Sequence, residues 1–335
     1  MSYPKISVQV VTHQSLRFLP FLLKSLKEQD FDNFSILIID NASTDGTLKF
    51  LKENYPEIPV FRNKVNLGYS KAHNQGIRLT KSKYVLCLNP DIVLEKDFLS
   101  TIIKPAERNS LIGGIGPCLY KVRFADQETR HFLEKTDIFD STGLVISKSL
   151  SFNDRGQGQK DKGQYSKQEP VFGVSGACFL LRRKALEDIK YQQEYFDEDF
   201  FAYKEDIDLS WRLQHRGWLI YYNPKAKAYH FRQTPAYSQK KKFYFDIPQQ
   251  FKKSFLVSCL SWRNHLWVIL KNCPLKLFIS CFFPFVFFQK IKALWLLFYC
   301  PKALFYGYFS FWGKFFKMFK KRRYIFSRLR INNGK

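Results

Sequence analysis

Acidic residues are almost missing from the last third of this 335-residue chain. From Lys240 onward the only one is Asp246, against twenty lysines and arginines, so this stretch carries +19 of the formal net charge of +25. The first 239 residues keep only about +6, ordinary for a soluble domain. Paired cysteines are missing too. The seven cysteines (Cys87, Cys118, Cys178, Cys259, Cys273, Cys281, Cys300) form no CxxC pair and no zinc spacing. That excludes a thiolate zinc module and points to buried thiols in a reducing compartment. Long unbroken apolar runs are lacking: Lys276, Lys290 and Lys292 interrupt any window of the ~20 apolar residues that a spanning helix needs. No signal-peptide pattern is expected either, since Met1-Ser2-Tyr3-Pro4-Lys5 leads directly into a strand pattern.

What is present is a front half of alternating strands and helices. The length predicts one large domain plus an appendage. Strand patterns cover residues 5–12, 35–40, 60–62, 84–89 and 112–117; helical patterns cover 19–29, 68–80 and 97–108, and residues 43–46 supply turn and cap for a further helix through Asn54. Residues 157–168 read as a polar, mobile loop, 173–183 as a loop entering a buried strand, and 203–216 as a helix braced by Asp208 and Arg212 at i,i+4. The alternation implies an α/β fold, a mostly parallel sheet with helices on both faces. Ligands bind beyond the C-terminal strand ends of such sheets, where Thr12, Asp40 and Asp91 fall.

Two acidic clusters about a hundred residues apart carry the chemistry. Asn89-Pro90-Asp91 follows the apolar run Tyr84–Leu88, and a carboxylate at a strand end can hold a divalent cation against a phosphate. Glu205-Asp206-Ile207-Asp208 opens a helix, where a carboxylate can take a proton from a sugar hydroxyl. Together they predict group transfer from a nucleotide-linked donor.

The first 270 or so residues resemble family 2 glycosyltransferases of GT-A fold, in the rhamnosyltransferase-type branch of bacterial cell-surface polysaccharide synthesis. The likeness rests on Val10-Val11-Thr12, residues 39–47 (IDNASTDGT), Asn66-Leu67-Gly68-Tyr69, Asn74-Gln75-Gly76, Leu88-Asn89-Pro90-Asp91, residues 173–177 (GVSGA) and residues 205–212 (EDIDLSWR). Arg263-Asn264-His265-Leu266 resembles a segment that often follows the catalytic domain. The resemblance implies a donor pocket formed by Thr12, Asp40, Asn41, Asp45, Gly68, Asn74 and Asn89, with Asp40 receiving a pyrimidine N3–H and Gly68 allowing close approach to the donor. It implies Asp91 as ligand of Mg²⁺ or Mn²⁺, a histidine, here His230, completing the metal site or touching the diphosphate, and Asp206, with Glu205 beside it, as general base of an inverting transfer. The family's metal motif often has two aspartates flanking one residue; here the first is Asn89, which leaves Asp91 as the main charged ligand.

The expected organisation is a catalytic domain over 1–240 and a basic, aromatic-rich membrane-interface region over 241–335. Residues 275–288 and 305–319 mix phenylalanines with lysines, and Lys320-Lys321-Arg322-Arg323 follows. Such helices lie in a membrane interface with lysines reaching anionic head groups; a re-entrant pair broken near Pro284 is an alternative. The expected partners are a dTDP- or UDP-sugar, a lipid-linked saccharide and the cytoplasmic face of the cell membrane, with peripheral or monotopic attachment and no nucleic acid. A nucleotidyltransferase is a rival, but such enzymes usually carry a Gly-rich basic loop after the first strand, where this chain has Thr12-His13-Gln14-Ser15. A nucleic-acid-binding protein would fit the pI of about 9.7, but the phenylalanine runs are too apolar for a solvated groove.

Overall fold

The computed structural model describes residues 3–126, 133–232 and 255–330. Its front half runs β1 (Ile6–Thr12), α1 (Leu19–Lys27), β2 (Phe34–Asn41), α2 (Thr47–Asn54), β3 (Val60–Asn63), α3 (Gly68–Leu79) and β4 (Tyr84–Leu88). These four strands pair in parallel in the order β3-β2-β1-β4. β4 shows why a continuous apolar run forms a central strand. Successive side chains point to opposite faces, so Tyr84, Leu86 and Leu88 join one core cluster while Val85 and Cys87 join the other.

The expected helix over 97–108 is two short ones, α4 (Phe98–Ile102) and α5 (Lys104–Arg108), after the short β5 (Ile92–Leu94). Pro105 in the first turn of α5 marks the break. The strand expected at 112–117 continues to Phe124 as β6 (Ile112–Phe124). Then come β7 (Leu133–Ser141), the hairpin strands β8 (Leu144–Ile146) and β9 (Phe152–Asp154), β10 (Glu169–Pro170), β11 (Cys178–Arg182) and α6 (Arg183–Ile189). Residues 157–168 are irregular yet anchored: Tyr120 donates to Asp161 at 2.6 Å, and Tyr222 donates to the Tyr165 carbonyl at 3.0 Å. A short 3₁₀ turn at Glu198–Phe200 precedes α7 (Glu205–His215) and β12 (Leu219–His230). The ten-stranded sheet is completed in the order β4-β11-β6-β12-β10, with β7 on β6 and β5 on β12; β11 runs antiparallel to β4 and β6.

The expected boundary near residue 240 lies outside the described residues. The back half comprises α8 (Phe255–Asn272), α9 (Leu275–Ser280), α10 (Phe282–Tyr299), α11 (Pro301–Gly313) and α12 (Phe315–Ser327). α8 lies against α7 as part of the core: Trp267, Val268 and Ile269 share a cluster with Phe200, Ile207 and Trp211. Opposite charges join the halves. Lys271 pairs with Asp197 and, at 2.7 Å, with Asp208; Lys321 reaches Asp197 at 2.6 Å and Glu194 at 3.0 Å; Lys314 and Lys317 pair with Asp199 at 2.9 and 2.7 Å. Four lysines of the basic excess therefore neutralise carboxylates of the front.

The remaining surface of the back half is apolar. Phe283, Phe287, Phe298, Phe309 and Phe316 are all exposed, interspersed with exposed Lys276, Lys290, Lys302 and Lys320. The helix break falls at Cys281; Pro284 sits in the first turn of α10, where its missing N–H costs nothing. Despite Lys290 and Lys292, α10 is long and apolar enough to cross a membrane by length and composition.

Candidate active site

The first wall of the site lies at the ends of β1 and β2. Thr12 and Asp40 are register partners, and the Thr12 hydroxyl donates to Asp40 Oδ1 at 2.9 Å. The Ser43 N–H donates to Asp40 Oδ2 at 3.1 Å. Asp40 is fully enclosed, so its carboxylate shapes this turn; the expected contact with a pyrimidine is not open to it in this conformation. Asp45 also serves the turn. It accepts from the Leu16 N–H at 2.9 Å and from the Thr47 N–H and hydroxyl at the start of α2. Burial alone would raise its pKa, but these hydrogen bonds outweigh it and lower it. Asn41 donates to the Gly68 carbonyl at 3.1 Å and so ties β2 to α3.

Two expected donor-pocket residues do other work. Gly68 has φ +79°, and an added Cβ would lie 2.5 Å from the Phe201 carbonyl oxygen. The close approach that requires glycine here is to Phe201. Asn74 is fully buried; its amide donates to the Phe196 carbonyl at 2.8 Å and to Glu198 at 3.1 Å, and accepts from the N–H groups of Tyr195 and Phe196. All its hydrogen-bonding capacity is spent bracing residues 195–198.

The second wall joins β4, β5 and β12. His230 Nε2 lies 3.4 Å from Asp91 Oδ1, and His230 Nδ1 lies 2.8 Å from Asp140 Oδ2. Asp140 also faces Arg232 Nε at 3.3 Å, and Arg232 Nη2 bonds Asp154 at 2.6 Å. Burial would lower the His230 pKa, but Asp91 and Asp140 together raise it to about 10. A histidine whose far nitrogen is held by a carboxylate has its near nitrogen aimed as a metal ligand. Among the described residues no group of three His, Cys, Asp or Glu side chains forms a metal cage. Asp91 and, once its Nε2 proton is released, His230 would hold a divalent cation, supplying one carboxylate and one imidazole ligand. Asn89 is half-buried beside them, its N–H donating to the Ala177 carbonyl at 2.9 Å.

The third element is the start of α7. Asp206 Oδ2 accepts the Gly176 N–H at 2.9 Å, and Oδ1 accepts the Ile207 N–H at 2.8 Å. Burial raises its pKa, and the Gly176 bond and nearby Lys204 oppose that. Glu205 is buried with Oε2 unpartnered; burial, then the Asp206 charge, pushes its pKa up to about 8. Asp208 faces away, bonded to Arg212 Nε at 2.9 Å as the sequence spacing predicts, and also to Lys271 and Asn272. The helix starts at Glu205, not Tyr203, because Tyr203 and Lys204 have positive φ. Sequence reasoning missed Asp140, Asp154, Arg232, Lys204 and Tyr69, whose hydroxyl donates to the Gly176 carbonyl at 2.7 Å. Tyr69 lies in the matching segment 66–69, which did not mark its contact with Gly176; the other four carry no motif, and only the fold brings them here.

The sequence profile of glycosyl transferase family 2 matches residues 7–190, more than half of the chain. The chain belongs to this family. It is 28% identical over 240 residues, 68% of this chain and 76% of the relative, to the N-acetylglucosaminyl-diphospho-decaprenol L-rhamnosyltransferase of Mycobacterium tuberculosis. It is 26% identical over 236 residues, 68% of this chain and 83% of the relative, to the rhamnosyltransferase WbbL of Escherichia coli K12. Among solved structures, the mannosyltransferase PcManGT of Pyrobaculum calidifontis, in complex with GDP-Man and Mn²⁺, aligns with a TM-score of 0.51 and 14% identity over 98% of this chain and 86% of that one. GalNAc-T7 with UDP, GalNAc and Mn²⁺ aligns with a TM-score of 0.56 and 13% identity over 88% of this chain and 55% of that one. The fold is thus GT-A, and this chain is a family 2, inverting glycosyltransferase. Family membership decides against the nucleotidyltransferase alternative.

Proposed function

We propose that this glycosyltransferase moves a sugar, rhamnose foremost, from a dTDP- or UDP-sugar to a lipid-linked saccharide at the cytoplasmic face of the membrane. The observation that carries the reading is a two-step link. The Asn89 N–H bonds the Ala177 carbonyl, and the adjoining Gly176 N–H bonds Asp206. The candidate metal strand end and the candidate base therefore converge on one dipeptide.

In this arrangement the turn held by Thr12, Asp40 and Asp45 flanks the nucleotide, with Asp40 acting through the turn it shapes and not by direct contact in this conformation. A divalent cation held by Asp91 and His230 would neutralise charge on the departing diphosphate. Asp206 accepts the proton of the acceptor hydroxyl as its oxygen bonds the anomeric carbon and the bond from that carbon to the diphosphate oxygen breaks. Burial raises its pKa, which makes it a stronger base than an exposed aspartate. The rhamnosyltransferase relatives support the sugar and the lipid-linked acceptor. The exposed phenylalanines and lysines of α9–α12 support residence on an anionic membrane.

Calorimetric titration with dTDP, UDP and GDP, with and without Mn²⁺, tests the proposal. Mn²⁺-enhanced binding of one pyrimidine diphosphate is expected; preference for GDP, or no binding by folded protein, would overturn the donor class.

A further inference from the structure

The route into α7 is one that few side chains tolerate. Phe201 has φ 65° and ψ −65°, and the Ala202 N–H bonds the Phe200 carbonyl at 2.8 Å. This is a γ-turn of the rare, strained hand. Tyr203 and Lys204 follow with φ 69° and 72°. Three left-handed non-glycine residues in four positions persist only where the surroundings over-determine them.

The surroundings come from α8. Asn264 is fully buried, and its Nδ2 lies 3.0, 2.8 and 2.7 Å from the carbonyl oxygens of Phe200, Ala202 and Tyr203. Two hydrogens thus serve three carbonyls that the turn has brought together. Arg263 fixes which way the amide faces: its Nη2 and Nε donate to Asn264 Oδ1 at 2.8 and 3.0 Å. Arg263 also reaches the Asp199 and Phe200 carbonyls at 3.3 Å and Ser310 of α11 at 3.0 Å. On its other side the loop touches the donor wall, where the Ser70 N–H bonds the Phe201 carbonyl at 3.2 Å and Phe201 fills the space above Gly68.

We propose that Asn264, oriented by Arg263, is a positioning residue that holds the 201–204 loop in its left-handed path and so fixes Asp206 against Gly176. The inference rests on Asp206 being the base. Asn264 touches no reacting atom; it couples a helix of the C-terminal bundle to the placement of the catalytic carboxylate. An apolar side chain of equal volume would fill the space but take from the Ala202 and Tyr203 carbonyls the hydrogen bonds that the amide gives them.

The test uses the full chain in detergent and the variant Asn264→Asp. Aspartate has nearly the same shape and still accepts from Arg263, but donates nothing to the loop. The expected result is a kcat lowered about 10- to 100-fold, the scale of a small misplacement of a reacting group. UDP or dTDP, whichever the parent binds, should still bind at one per chain with nearly parental affinity. In the Asn264→Asp background, Tyr203→Gly should recover part of the lost kcat, because glycine accepts positive φ without strain. A kcat per bound nucleotide equal to the parent's, or a loss of binding sites in step with kcat, would overturn the proposal. If Asn264→Asp does not fold, Arg263→Lys decides: its kcat must fall while nucleotide binding holds. Asp206→Asn, measured in parallel, separates the two ideas. If it keeps turnover, the base assignment fails, while the effect of Asn264 on kcat is still read from its own variant.

Discussion

The carboxylate of Asp206 and the backbone of Gly176 are 2.9 Å apart, and Tyr69 holds the same glycine from its other side. An added Cβ at Gly176 would lie 3.3 Å from the Tyr69 hydroxyl and 3.4 Å from Asp206 Cβ. The proposed base thus rests on a small residue clamped between two elements, α3 and α7. Replacing Asp206 by Asn keeps the shape and the Gly176 bond but removes the proton acceptor. Asp206→Asn is expected to lower kcat by roughly 10²- to 10⁴-fold and to leave calorimetric donor binding intact. Near-parental turnover would remove Asp206 from the mechanism.

Asp140 supports the proposed metal site through His230, whose Nδ1 it holds at 2.8 Å. Asp140→Asn is expected to weaken Mn²⁺-dependent binding of the nucleoside diphosphate about 10- to 100-fold and to leave metal-free binding unchanged. Equal losses with and without Mn²⁺ would show that Asp140 supports the fold only.

Glu205 supplies a pH prediction. Its ordinary pKa is 4.5 and its folded value about 8, raised by burial and then by Asp206. The folded state therefore holds a proton that the unfolded chain releases. The corresponding stability is fully present below pH 4.5 and is lost as pH rises through 8. Glu205→Gln stays neutral throughout, so its melting temperature should match the parent's near pH 4.5 and exceed it above pH 8. A difference that does not change with pH would contradict the burial of a neutral carboxyl.

Much of this site was legible in the chain, and the illegible part has physical causes. Asp91 and Asp206 stand at element ends, where local patterning marks them. Asp140 and Asp154 come from β7 and β9, in a region with no motif, and reach the site only through pairing with β6 and through Arg232. Asn74 and Gly68 belong to matching segments, yet their neighbours are residues 195–201, more than a hundred positions away. A sequence pattern marks that a residue is constrained, not which contact constrains it. The back half shows a related effect. Lys321, within the basic run 320–323, is buried and answers the Asp197 carboxylate, and Lys271, outside any run, answers Asp197 and Asp208.

That burial makes Lys271 a stability determinant. Lys271→Met leaves Asp208 and Asp197 short of a partner in the interior and is expected to cost about 3 kcal/mol in urea unfolding. A chain ending after Trp262, which also loses Trp267 and Lys321, is expected not to fold at all. A soluble, cooperatively melting truncation would refute the shared core.

Phe283 and Phe316 are more than four-fifths exposed, at 82% and 84%. Phe283→Glu with Phe316→Glu should leave the melting temperature unchanged. It should lower partition onto phosphatidylglycerol vesicles by roughly 10-fold or more, as loss of a buried phenyl ring implies. Unchanged sedimentation with vesicles would move the membrane contact elsewhere.

The ion pairs between the halves also bear on how this enzyme can be recombined with its relatives. Asp197, Asp199 and Asp208 lie within nine residues of the proposed base in sequence, and, the Asp208–Arg212 pair apart, their counterions come from α8, α12 and Lys314 between α11 and α12. Grafting another enzyme's membrane anchor onto this catalytic half would leave unmatched carboxylates in the interior. Any exchange of the tail must therefore carry α8 and Lys321 along with it.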